Sequence, residues 1–179
     1  DAGDDLVLTL GESGETATLD DYILVDMDGT AYIQLEEEDM EIQPYLVFDG
    51  TLPENYVVDM RMRLADSPET VILIDVSSVG TEGELATIEL EPDFLRMGDY
   101  SVEMEWLENL LDSSFSPPER DTWFELRITV EGNEVTVFVD GEERLQADDF
   151  THIDENFIGI FVNRGTVDID YIRVYELDN

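Results

Sequence analysis

The sequence predicts an all-β domain, a sandwich or barrel of antiparallel strands. Three observations carry this. Apolar and polar residues alternate with a period of two in short segments from end to end, the signature of half-buried strands. Those segments are separated by Gly, Pro, Asn and Asp in turn-forming combinations. The 3.6-residue periodicity of amphipathic helices is nearly absent. With 179 residues the chain fits a single domain, 1–179, large enough to bury a core, with the hairpins of residues 1–35 read as a peripheral addition.

In order, strands are expected at Leu6–Leu10, Thr16–Leu19, Tyr22–Val25, Ala31–Leu35 and Tyr45–Phe48. The clearest follows at Tyr56–Ala65, where Tyr56, Val58, Met60, Met62 and Leu64 share one face and Val57, Asp59, Arg61 and Arg63 the other. Val71–Val76 and Leu85–Leu90 come next. In the segment Tyr100–Trp106, Trp106 falls on the core side with Val102 and Met104. Leu107–Asp112 is the one helical candidate, a single turn before the loop Ser113–Asp121 with Pro117 and Pro118.

The C-terminal third specifies its own register. A two-residue turn at Gly132-Asn133 sets Leu126, Ile128 and Val130 opposite Val139, Val137 and Val135, and Arg127 opposite Phe138. A three-residue loop Asp140-Gly141-Glu142, with Gly141 at positive φ, then brings Leu145 and Ala147 onto the valine face. Ile158, Ile160 and Val162 lead through a turn at Arg164-Gly165 into Val167–Tyr175. There the apolar parity passes from Val167 and Ile169 to Ile172 and Val174, which a bulge near Asp170–Tyr171 accommodates.

Charge restricts function. Forty-six acidic residues face eight basic ones, all arginine, for a formal net charge of -38. Such a chain is repelled by nucleic-acid phosphates and anionic lipid, so neither is an expected partner. No apolar run approaches the ~20 residues needed to span a bilayer, so no membrane insertion is expected. Without cysteine there is no disulfide, thiolate metal site or cysteine nucleophile. Self-repulsion at this charge density calls for screening by salt or for bound cations, so a halophilic or divalent-rich milieu is expected. The chain opens at Asp1 without an initiating Met or an apolar leader, and a processed protein, secreted or at the cell surface, is expected.

The stretch Trp123–Ile128, the turn Gly132-Asn133, Val137–Gly141, Ile158-Gly159-Ile160 and Val167–Val174 together resemble the end of concanavalin A-like lectin/glucanase domains, including the laminin-G-like modules. The resemblance implies two curved antiparallel sheets in a jelly-roll sandwich. Its motifs are turn glycines and core valines, which specify a fold that hosts lectins, glycosidases and structural modules alike.

Strand parity places Trp123 with Glu125, Arg127 and Thr129, away from the core. One reading has Trp123, Arg127 and Phe138, joined by Arg61 and Arg63, line a concave groove in which a sugar stacks and is hydrogen-bonded. The other has Trp123 covered by the proline-bearing loop and the arginines neutralised by Glu103, Glu105 or Asp59. Glu37-x-Asp39-x-Glu41 has the spacing of a retaining glucanase's carboxylate pair. With so many carboxylates the spacing also arises by chance, and no aromatic sugar platform accompanies it. Asp26-x-Asp28-Gly29-Thr30 offers two carboxylates and a turn glycine, either an Asp-Gly hairpin turn or part of a calcium site completed by remote carboxylates, but no EF-hand. The lone histidine, His152, reads as a loop residue. The expected function is therefore a non-enzymatic carbohydrate-binding or adhesive module with no certain cofactor. A self-assembling subunit of a filament or surface layer and a glycoside hydrolase stand as alternatives.

Overall fold

The computed structural model describes residues 7–12, 15–16, 23–25, 31–37, 45–49, 52–74, 84–90, 94–101, 111–114, 122–148 and 157–177. Among them every regular element is a strand: β1 (Val7–Glu12), β2 (Glu15–Thr16), β3 (Ile23–Val25), β4 (Ala31–Glu37), β5 (Tyr45–Asp49), β6 (Asn55–Ile74), β7 (Glu84–Leu90), β8 (Phe94–Ser101), β9 (Leu111–Ser114), β10 (Phe124–Glu131), β11 (Glu134–Val139), β12 (Glu142–Ala147) and β13 (Phe157–Glu176). All pairings are antiparallel. None of these elements is a helix that could cross a membrane.

The architecture is a two-sheet jelly-roll sandwich in which β6 and β13 belong to both sheets. Residues 55–65 of β6 and 166–176 of β13 pair with each other at the centre of a first sheet, ordered β12-β11-β10-β6-β13-β4-β3. Residues 69–74 and 157–164 of the same strands pair at the centre of a second sheet, ordered β9-β8-β7-β6-β13-β5-β1-β2. Between the halves the ladder shifts register twice, between Val162 and Thr166, where Gly165 adopts φ 74°. Strands that pass between packed sheets do so through such bends. Two sequence expectations are corrected here. Arg164-Gly165 is a kink within one strand, not a turn between two, and Tyr56–Ala65 and the described part of the expected Val71–Val76 strand, up to Ile74, are one strand running through Pro68. Both long strands bend at the same level, so the pairing survives residues that ordinarily end a strand.

The two sheets enclose one core. The first contributes Tyr56, Val58, Met60, Met62, Leu64, Phe124, Leu126, Ile128, the three valines of β11, Val167 and Ile169, and the second contributes Ile88, Leu90, Leu95, Met97, Ile158, Ile160 and Val162. The β10–β11 hairpin has the expected register, Leu126 opposite Val139 through Val130 opposite Val135. Of its turn residues only Gly132 has positive φ, 58°, as a II′ turn requires. Leu145 and Ala147 do reach the valine face, opposite Val137 and Val135, but by another route. The loop is two residues, Asp140 and Gly141, both at positive φ (49° and 77°), so Glu142 faces Val139. A bulge then inserts Arg144 between Glu143 and Leu145 and resets the parity. The helical expectation at Leu107–Asp112 and the loop expectation at Ser113–Asp121 both yield at β9, where Leu111–Ser114 pairs with β8; extended pairing there overrides a weak local helix preference.

Candidate functional site

The outward face of the first sheet collects most of the side chains singled out in the sequence. Its composition follows from parity: along β10 the inward residues are buried while Glu125, Arg127 and Glu131 are exposed and Thr129 half-buried. Cross-strand register orders the face into rows. Arg173, Asp59, Arg127 and Phe138 lie side by side on β13, β6, β10 and β11. Tyr171, Arg61 and Glu125 form the adjacent row. Trp123 stands just before β10, past the Phe124–Met62 pair, and meets Arg61 and Arg63. Tyr171 reaches this face because the ladder steps from Ile169–Met62 to Tyr171–Arg61, the expected bulge at Asp170.

Each of three arginines is held by its own aspartate. Arg127 makes a two-pronged pair with Asp59, Nε to Oδ1 at 2.6 Å and Nη2 to Oδ2 at 2.9 Å, and the Tyr175 hydroxyl donates to Asp59 Oδ2 at 2.6 Å. Arg61 Nη1 donates to Asp170 Oδ2 at 2.6 Å. Arg63 donates to Asp168 Oδ2 from Nε at 2.8 Å and approaches it with Nη2 at 2.6 Å, while Gln34 Nε2 donates to Asp168 Oδ1 at 2.8 Å. Of the acids expected to neutralise the arginines, Asp59 holds Arg127; Glu103 and Glu105 lie outside the described residues, and Asp168 and Asp170 serve Arg63 and Arg61.

Trp123 is half-buried, with the Arg61 and Arg63 guanidinium carbons 5.3 and 4.8 Å from its ring centroid. The indole is thus engaged by two cations that are themselves anchored, whereas the aromatic groups lining open space are Phe138 and Tyr171. These two, with Asp59, Met60, Glu125, Arg127, Thr129 and Gly141, enclose a pocket of about 310 Å³. That is the lower end of the range for small-molecule sites. Tyr171, Tyr175, Arg173, Asp168 and Asp170 were not singled out in the sequence as site residues. The available signal was the bulge, which turns Tyr171, Arg173 and Tyr175 to one side.

Burial pushes the Asp59 carboxyl up, but hydrogen bonds from Arg127 and Tyr175, and the charges of Arg127 and Arg173, outweigh it and leave the group below its ordinary value. The Asp59 hydrogen bond raises Arg127 in turn. Burial, then the bond to Asp59, raises the Tyr175 phenol, and burial followed by the Glu125 charge raises that of Tyr171. A carboxyl depressed by folding adds stability above its unfolded pKa of about 3.9 and loses it as pH falls through the lower folded value. In urea melts from pH 7 to 3, wild type is therefore expected to exceed Asp59→Asn by a margin that is constant above pH ~5 and shrinks below about 4. A margin independent of pH would show that the pair is not formed.

Asp26, Asp28, Asp39, Glu41, Trp106 and His152 lie outside the described residues, and Glu37 closes β4. Among the described residues no three His, Cys, Asp or Glu side chains are grouped to hold a metal ion.

No family model matches the chain, and no curated protein matches it in sequence. Its backbone is similar to several solved structures. A Bacteroides ovatus mixed-linkage glucan GH16 protein, solved with a G4G4G3G product, superposes with a TM-score of 0.66 at 11% identity, over 98% of each chain. Sheep galectin-11, in complex with glycerol, gives 0.58 at 16% identity over 72% of this chain and 96% of the galectin. The carbohydrate-binding module CBM66 of Bacillus subtilis gives 0.56 at 11% identity over 81% and 92%. At these identities the likeness establishes the fold, a jelly roll shared by a lectin, a binding module and a glycoside hydrolase.

Proposed function

We propose that this domain is a secreted or surface-exposed, non-enzymatic module that binds a glycan in the pocket between Phe138 and Tyr171, in a salt-rich or divalent-rich milieu. The observation that carries the reading is the pairing of two aromatic walls with the Arg127–Asp59 fork in one open pocket. Aromatic faces take the apolar side of a sugar ring, and the fork offers donors and acceptors to its hydroxyls. Asp59 does not suit the general-acid role of a glycosidase. A general acid needs a raised pKa, and Asp59 is held down by its partners. Against self-assembly through the β12 edge stand its charged residues Glu142, Glu143 and Arg144 and its bulge, which discourage strand addition. The similarity of the backbone to a lectin and a carbohydrate-binding module supports the class of ligand.

The test is a glycan array probed in about 1 M NaCl, where the Debye length is ~3 Å. Binding is expected, weakened roughly tenfold, about 1.4 kcal/mol, by Phe138→Ala. Because Phe138 is half-buried, its removal should cost less stability than the ~3–5 kcal/mol of a core aromatic. A wild-type protein that binds no glycan on the array sinks the proposal, as does release of reducing ends from a bound one.

A further inference from the structure

Arg173 differs from the other arginines of this face. Its cross-strand neighbour is Asp59, the carboxylate that register would offer it, but both oxygens of Asp59 are committed to Arg127 and Tyr175 at 2.6–2.9 Å. Arg173 is exposed, and among the described residues it has no carboxylate within salt-bridge distance. In a chain of 46 acidic and eight basic residues, a guanidinium with no carboxylate in salt-bridge contact among the described residues is unexpected on composition alone. It is also held in place: its guanidinium carbon stands 4.4 Å from the ring centroid of Tyr171, which lines the pocket. A guanidinium stacked on an aromatic ring keeps its N–H edge free for two-pronged contact with an oxyanion.

We infer that the glycan taken by this face is acidic, and that Arg173, stacked on Tyr171, binds its carboxylate or sulfate group. The inference rests on the glycan-binding reading and adds the charge of the ligand to it. Hydroxyl groups are served by the Arg127–Asp59 fork, which is overall neutral; Arg173 adds a positive charge beside it that, with the Glu125 carboxylate also lining the pocket, acts as a local contact for an oxyanion rather than as a net charge of the site. The net charge of -38 repels an acidic polymer at a distance, and salt screens that repulsion more than it weakens an ion pair at contact. Binding therefore belongs to high salt.

The experiment compares wild type, Arg173→Gln and Arg173→Lys on an array of neutral, uronate-bearing and sulfated glycans in about 1 M NaCl. Hits are then titrated as matched pairs, each uronate against its methyl ester and each sulfated glycan against its desulfated parent. Wild type is expected to prefer the charged member by about tenfold or more, and Arg173→Gln to abolish that preference. Arg173→Lys, with charge but no fork, should retain part of it. Which pair shows the preference tells carboxylate from sulfate. If neutral and charged members bind alike, or Arg173→Gln keeps the preference, the inference fails while glycan binding stands. If nothing on the array binds, the function proposed above fails and this inference with it. Should Arg173→Gln melt early, the matched pairs on wild type decide.

Discussion

Asp168→Ala is expected to destabilise the domain by about 3 kcal/mol, the lower part of the range for removing one partner of a buried ion pair. Asp168 faces outward by parity, yet its side chain is only 2% exposed. It lies between β6 and β4, taking hydrogen bonds from Arg63 on one side and Gln34 on the other. Removing the carboxylate takes the Asp168 partner from the Arg63 guanidinium, which is 21% exposed, and takes the Asp168 acceptor from the Gln34 amide. It also loosens one of the two guanidiniums that engage Trp123. Asp168→Asn, which keeps shape and one acceptor, should cost less. The matching change at Asp59 serves as comparison: its partner Arg127 is 53% exposed, so water compensates and the loss should stay near the ~0–1 kcal/mol of surface pairs. Urea melts at fixed salt give both numbers, through a shift in midpoint at unchanged slope. If Asp168→Ala costs no more than Asp59→Ala, the Asp168 pair is a surface contact and the anchoring of Arg63 is wrong.

That pair also marks the boundary of what the sequence discloses. The β10–β11 hairpin is legible because everything fixing it is local: Gly132 for the turn and three valines opposite three aliphatic residues. The inward position of Leu145 and Ala147 is legible too, since only one parity buries them. The route is not, because a two-residue loop plus a bulge and a three-residue loop deliver the same faces. Residues 66–70, left between two expected strands, and the turn read at Arg164-Gly165 both prove continuous, and only the pairing of β6 with β13 shows the two strands running on together. The convergence of Trp123, Arg127, Phe138, Arg61 and Arg63 on one face followed from parity. The partners of Arg61 and Arg63 did not, for Arg63 and Asp168 are 105 residues apart and meet through a register no local pattern encodes. Hence Trp123, read either as a sugar-stacking surface or as covered by the proline-bearing loop, meets two anchored arginines, and the pocket walls pass to Phe138 and Tyr171.

The melting temperature is expected to rise by about 10 °C or more between 0.1 and 1 M NaCl, the Debye length falling from ~10 to ~3 Å. The net charge of -38 is the cause: folding draws these charges together, and their mutual repulsion opposes the compact state. For a domain of this size a gain of 1 kcal/mol moves the midpoint by about 2–4 °C, so the rise corresponds to several kcal/mol of relieved repulsion. The opposing effect is smaller. Salt also weakens Arg127–Asp59 and Arg61–Asp170, but exposed pairs contribute at most about 1 kcal/mol each, while the better-covered Arg63–Asp168 pair is screened less. Screening is set by ionic strength, so NaCl and KCl should give nearly the same curve. If millimolar CaCl₂ reproduces the rise at constant ionic strength, cation binding rather than screening stabilises the fold. A flat or falling series in all of these salts would remove the high-salt adaptation, and with it the reason to expect an acidic glycan to be bound only when that repulsion is screened.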